Sequence, residues 1–339
     1  MADATKREVT GVKRSRFSLS KGLITIGSAT ILLFIVSGVL APSSISPTSL
    51  SGMLPIACVL AVAGLGQMLV VQQGGIDLSV PGMMSLAIVI VTHNPDGDNA
   101  KLVPAILLAV VFAVVAGVAN GLMIGGLRLN PIIATLGTNA LLYGADLLIS
   151  GGRPRITTTL LQSVAGGQVF GIPNAVFFAA AALIIVTVLV KKTVPGRRFE
   201  AIGANPEAAR AIGLRVRLHQ TSAYVWAQLL YCLAGILIAG ITAQPSAFEG
   251  DQYLLPSVAV VVLGGTSLLG GRGFPLPTLI AAIFLQQLTQ FVITLGVSTA
   301  IQTLVQAAAL AVGVSLYTVN WRAIIARIGG RARPAVSPA

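Results

Sequence analysis

The chain has little charge. Asp, Glu, Lys and Arg make up 9% of its 339 residues, against about 25% in an ordinary soluble domain. Acid is the scarcer sign, with 10 Asp and Glu against 22 Lys and Arg, for a net charge of +12. There are two cysteines, Cys58 and Cys232, both inside apolar runs. Neither a disulfide framework nor a cysteine metal site follows from that placement. The two histidines, His93 and His219, fall at opposite ends of apolar segments and cannot share a metal, so no metal site is expected. No serine or threonine has a paired base in view, which excludes a visible hydrolase arrangement. A GxxxxGK[ST] phosphate loop is missing, so the chain has no nucleotide cradle of that kind. Aromatics are only 5% of residues, and the basic residues sit beside apolar runs rather than among aromatics. Nucleic acid is therefore not an expected partner; the positive-inside rule accounts for the basic excess.

What the chain has instead is apolar length. Hydrophobic residues reach 55% and mean hydropathy is +0.89. The expected class is an all-α polytopic membrane protein. Ten segments are read: Gly22–Ala41, Leu50–Val71, Val80–Thr92, Leu102–Gly125, Pro131–Ile149, Ile172–Val190, Gln220–Ile241, Tyr253–Leu269, Pro275–Leu295 and Ala300–Thr318. The third holds 13 residues, short of the ~20 that cross a bilayer as a helix. Either it borrows residues from Gly74–Ser79 or it is a broken element shielded by protein. A long polar lead with no small-residue cleavage site precedes the first segment, which reads as an uncleaved anchor. The organisation is then a cytoplasmic tail at 1–21, a transmembrane domain at 22–320 and a cytoplasmic tail at 321–339.

Charge supports this alternation. With the N-terminus in the cytoplasm, 19 of the 22 Lys and Arg fall inside, and only Lys101, Arg153 and Arg155 fall outside. Asp96, Asp98, Glu249 and Asp251 lie in outer loops. About ten transmembrane helices with both termini cytoplasmic is the topology that keeps this asymmetry. The outer loop Ser150–Gly171 has room for a short surface helix.

Two stretches cannot be ordinary span. The first runs Pro195 to His219, inside an inner loop spanning 191–219, and contains a helical phrase. Asn205 is an N-cap, Pro206 suits the first turn, Glu207 favours the dipole, and Gly213 ends the helix. The second is Gln72–Gly82, where Gly74, Gly75 and Pro81 interrupt helix and where Asp77 and Ser79 can bond freed backbone or cap the third segment. Two readings of it stand: a break shaping the inner end of a pathway, and a tight connection stapled by Asp77.

GGIDLSV (Gly74–Val80), GRRFEAIGANPEAARAIGLRV (Gly196–Val216) and AVVVLGGTSLLGGRG (Ala259–Gly273) occur in this order. Together they resemble the permease subunits of bacterial ABC sugar importers of the ribose type, over residues 22–320. The usual pattern has Gly after GGIDLSV; here Pro81 intervenes before Gly82. The resemblance implies a type II ABC importer-like fold in the bacterial inner membrane and a second permease copy, normally as a homodimer. It also implies a separate ABC ATPase subunit carrying ATP and Mg, and a periplasmic solute-binding protein. No cofactor would be bound by this chain. Asn205, Glu207, Ala208, Ala209, Arg210 and Gly213 would form the coupling helix that seats on the ATPase. Arg197, Arg198, Arg215 and Arg217 are accounted for by topology alone.

Polar residues within apolar runs are candidates for the solute path, notably Asn120, Asn139, Gln228, Gln286 and Gln290; amides suit sugar hydroxyls and serve equally as interhelical glue. Asp146, near the outer end of its segment, is expected to pair locally with Arg153 and Arg155; a proton relay is the lesser reading. Arg153 and Arg155 could meet acidic residues of a docked binding protein or be ordinary loop residues. The leading expectation is a permease translocating a monosaccharide (pentose or hexose) or related polyol by alternating access, not an enzyme. The alternatives are a permease for branched-chain amino acids or nucleosides and an ion-coupled secondary carrier.

Overall fold

The computed structural model describes residues 21–311 apart from 299, 306, 309 and 310. The tails at 1–20 and 321–339 and most of the expected tenth segment lie outside the described residues.

Among the described residues these helices follow in order: α1 (Lys21–Leu40), α2 (Pro47–Gln72), α3 (Val80–His93), α4 (Leu102–Gly121), α5 (Pro131–Ser150), α6 (Thr159–Ala165), α7 (Asn174–Thr187), α8 (Val194–Ala204), α9 (Pro206–Ala211), α10 (Val216–Thr242), α11 (Leu254–Leu263) and α12 (Pro275–Thr294). Among the described residues seven, counting the π turns that extend α4 to Gly126 and α7 to Lys192, are long and apolar enough to cross a membrane. These are α1, α2, α4, α5, α7, α10 and α12.

The bundle is built around α2 and α3. From Ala57 to Gln72 every residue of α2 is buried, and so is α3 from Val80 to Thr92. A helix apolar on all sides belongs inside a bundle. The outer helices carry one-sided exposure: Ile31, Leu32 and Ile35 of α1 and Leu141 and Leu148 of α5 are mostly exposed. Close packing depends on small residues. A Cβ on Gly117 or Gly121 of α4 would stand 2.5 Å from the Cα of Val225 or Thr221, so α4 and α10 touch along their backbones.

Two expected segments are not full helical spans. The eighth, read as Tyr253–Leu269, is helical only from Leu254 to Leu263, ten residues. Gly265, at φ 82°, turns the chain, and Gly265 N and Thr266 N bond back to Val262 O and Val261 O. The third is a helix of 14 residues preceded by a non-helical stretch. Gly75 lies beside Pro131, and Gly82 beside Asn139. Those two neighbours are eight residues apart on α5, so the chain rises roughly 12 Å across them. The rest of α3, Gly82 to His93, adds roughly 17 Å. Together they match a hydrocarbon core of ~30 Å. The segment is shielded by protein, as one of the two readings had it, since Val80–Thr92 are buried; the non-helical stretch before it supplies the further length that a crossing would need.

The loop after α5 carries α6 and a small hairpin, β1 (Gln168–Val169) with β2 (Ile172–Pro173). α6 packs closely on the outer end of α10, where a Cβ on Gly240 would meet Leu161 O at 2.6 Å.

Candidate functional site

The non-helical entry to α3 is held by side chains from four other helices. Backbone groups freed inside a membrane must find partners within the protein. With its amide turned to satisfy both ends, Gln67 of α2 brackets Asp77, donating to its carbonyl and accepting from its N–H at 3.2 Å each. Leu78 N donates to Thr135 Oγ1 at 2.9 Å. Ser79 N donates to the Asp77 carboxylate at 2.8 Å. Gly82 N, in the first turn of α3, donates to Asn139 Oδ1 at 2.8 Å. Asn139 therefore caps α3 from a different helix. Ser79 stands at the N-cap position but makes no side-chain cap; its hydroxyl is committed elsewhere.

That hydroxyl donates to Asp77 and accepts from Gln228 Nε2 at 2.6 Å and Asn120 Nδ2 at 3.1 Å. Gln228 also donates to Asp77 Oδ2 at 3.2 Å, and Thr138 donates to Asn120 Oδ1. Asp77, Ser79, Asn120 and Gln228 are completely buried. Asp77 and Ser79 of the break and the amides Asn120 and Gln228, singled out separately in the sequence, form one network, while Asn139 reaches the same element through Gly82 N; Gly74 and Gly75 are not part of it. Asn139 alone among those amides stays partly exposed.

Gln286 and Gln290 lie elsewhere. They sit half-buried on α12, which packs against α1, α2, α11 and α7. Their neighbour Gln287 donates to Ser37 Oγ of α1 at 3.1 Å, an interhelical tie. Asp146 does not form the expected ion pair. It is fully buried, and neither carboxylate oxygen takes a hydrogen bond among the described residues. α5 ends at Ser150, the left-handed Gly151 turns the chain away, and Arg155 pairs with Asp96 at 3.2 Å.

The C-terminal end of α2 forms a second junction. Gly271 N donates to Gln72 O at 2.8 Å, and Gln72 Nε2 donates to Gly271 O at 3.3 Å. Gln73 Nε2 donates to Phe199 O of α8 at 2.9 Å. Gln72 Nε2 also reaches Glu200 Oε1 at 3.4 Å, and Glu200 is paired with Lys191. Gly203 approaches so closely that a Cβ there would lie 2.0 Å from Gln72 O. The second and third phrases thus meet at Gln72 and Gln73, just before the first phrase, and a Cβ on Gly270 would lie 2.5 Å from Gly203 O and 3.2 Å from Gly74 N.

α8 and α9 form a helical pair on this side. Asn205 Oδ1 accepts from Glu207 N at 3.1 Å and Ala208 N at 3.0 Å, the expected cap. Gly213, at φ 83°, terminates the turn, with its N–H on Arg210 O. Glu207, Ala208 and Arg210 face solvent, while Ala209 packs inward with Ile202 and Val216. Ile212 is 75% exposed, an apolar side chain at the tip of the pair. α8 was not legible as a helix, although Thr193, whose hydroxyl accepts from Gly196 N at 3.0 Å, and Pro195 mark its start.

Over residues 49–314 the chain matches a family described as "Branched-chain amino acid transport system / permease component". The ribose import permease of Bacillus subtilis is 34% identical over 290 residues, covering 84% of this chain and 89% of its own length. The ribose import permease of Escherichia coli K12 is 31% identical over 293 residues, covering 84% and 90%. The galactose/methyl galactoside import permease of the same strain is 31% identical over 300 residues, covering 83% and 89%. No solved structure matches.

Proposed function

The chain belongs to the family of ABC importer permease components, and from that premise we propose that it carries a monosaccharide, pentose or hexose, across the bacterial inner membrane by alternating access. It is a multi-pass inner-membrane permease of the carbohydrate-importer kind. In this reading ten spans place both termini in the cytoplasm. A separate ATPase subunit binds ATP and Mg, a periplasmic binding protein delivers the solute, and a second copy of this chain completes the path. The chain itself hydrolyses nothing; its lack of a phosphate loop supports that division of labour.

The observation that carries the proposal is the junction under α2. Glu207, Ala208, Arg210 and Ile212 would seat on the ATPase, with Asn205 and Gly213 fixing the ends of their helix. Motion of α8 would then reach Gln72 and Gln73 through direct contacts and pass to Gly74–Ser79. Asp77, Ser79, Asn120 and Gln228 hold that segment rather than touch solute. Asn139, partly exposed at the start of α3, is the amide best placed to meet hydroxyls.

The test is uptake by proteoliposomes holding the permease, its ATPase and its binding protein. Binding-protein-dependent, ATP-dependent uptake of a radiolabelled pentose or hexose is expected. Uptake of leucine but no sugar would favour the branched-chain amino acid reading that the family's description carries. Solute movement by the permease alone down an ion gradient would remove the ATP-driven mechanism.

A further inference from the structure

Two cavities adjoin on the inner side of the bundle, and both are lined by His219. The first, of about 290 Å³, runs between the π turn that ends α7, the start of α8 and the first turns of α10. Leu69, Val186, Val190, Phe199, Ala223 and Trp226 make it apolar. The second, of about 470 Å³, is lined by Arg198, Arg215, Leu218 and His219 and, at the tip of the α8–α9 pair, by Ile212, Gly213 and Leu214. The pair is therefore amphiphilic: an apolar slot reaching up into the bundle and a cationic chamber at its cytoplasmic mouth. It does not include the buried polar network around Asp77.

We propose that this pair of cavities binds one anionic phospholipid of the inner leaflet, its acyl chain in the Trp226 slot and its phosphate between Arg198 and Arg215. Charge complementarity selects this occupant. A neutral lipid would fill the slot and leave two guanidinium groups without a counter-ion. A soluble anion would fill the chamber and leave the slot empty. Arginine forks suit phosphate oxygens, and basic pockets between helices on the cytoplasmic side are where anionic headgroups are read. The site also has a consequence for transport. Phe199 lines the slot and its carbonyl accepts the bond from Gln73, so the lipid touches the α8–α2 junction directly.

The test uses Trp226 as its own reporter. The full chain carrying Trp321→Phe, which removes the other of the two tryptophans, is reconstituted in phosphatidylcholine vesicles. Brominated phosphatidylglycerol or brominated phosphatidylcholine is included at equal mole fraction, and fluorescence quenching is read. Phosphatidylglycerol is expected to quench preferentially, by about fivefold in apparent affinity for each arginine engaged. The preference should vanish in Arg198→Gln/Arg215→Gln and persist in Arg198→Lys/Arg215→Lys. Ala223→Phe, which fills the slot, should reduce quenching by both lipids. Equal quenching by the two lipids in the parent chain overturns the assignment and leaves the cationic chamber to the ATPase. A preference that survives Arg198→Gln/Arg215→Gln also overturns it.

Discussion

Gly203→Ala is the smallest change that tests transmission from α8 to the break. The added Cβ would sit 2.0 Å from Gln72 O, where real Cβ contacts are essentially never under 3.0 Å. Gln72 O is backbone and the Cβ is fixed rigidly on the Gly203 Cα, so no rotamer change relieves the clash and the two elements must part by about 1 Å or more. The hydrogen bonds from Gly271 N to Gln72 O at 2.8 Å and from Gln73 Nε2 to Phe199 O at 2.9 Å are then stretched past useful length. Two such bonds are worth about 1–3 kcal/mol together, and overpacking adds about 1–3 kcal/mol. The total, about 2–6 kcal/mol, exceeds the 1.4 kcal/mol that a tenfold change requires. We expect the permease–ATPase complex to assemble normally, because Gly203 is buried on the side facing α2, while solute imported per ATP hydrolysed falls at least about tenfold. The measurement is paired uptake and phosphate release in proteoliposomes. Gly27→Ala, where a Cβ meets nothing within 4 Å, is the control and should match the parent. An unchanged import-to-hydrolysis ratio in Gly203→Ala would refute the route through Gln72.

Glu207→Arg with Ala208→Trp should abolish association with the ATPase and leave membrane insertion intact; co-purification from membranes reads this, and full retention of the ATPase would count against the α9 docking face. Asn139→Leu strips the cap from α3 and leaves Gly82 N–H without its acceptor; a loss of about 1–3 kcal/mol is expected, seen as a lower unfolding temperature in detergent. Gln228→Leu removes donors to both Asp77 and Ser79 and should cost more than Asn139→Leu in the same assay. Glu200→Gln breaks a pair whose side chains are 30–32% exposed, so its stability effect should stay below about 1 kcal/mol; a larger drop in the same thermal scan would mean the pair is more than a tether.

The sequence carried the polar network only in pieces. Asp77, Ser79, Asn120, Asn139 and Gln228 each stand out as polar residues in apolar surroundings, because hydrocarbon makes such residues expensive. Nothing along the chain says that they meet, since contacts between positions up to 151 residues apart leave no periodic trace. The α9 cap was legible because Asn205, Pro206 and Gly213 act locally. α8 was not: Phe199 and Ile202 are its only large buried side chains, too few to set a helical period against three charges. The half-length α11 was missed for the opposite reason. Val260, Val261, Val262 and Leu263 run straight into Gly264 and Leu268–Leu269, and hydropathy does not register where such a run turns. Asp146 and its arginines were close in sequence, but the left-handed Gly151 separates them in space.

The dependence of α3 on distant side chains also bears on how the protein is made. Thr135 and Asn139 follow the groups they bind by 57 residues, and Gln228 follows Ser79 by 149. When α3 leaves the ribosome, the acceptors for Leu78 N and Gly82 N do not yet exist, and 14 helical residues are fewer than a helix needs to cross lipid alone. The backbone partners of this segment are therefore complete only after α5, and its polar entry only after α10. Chains truncated before Gln228 should therefore leave Asp77 without its amide donor and be cleared faster by quality-control proteases than the full chain. The arrangement makes the third span a built-in check that the later helices have been synthesised.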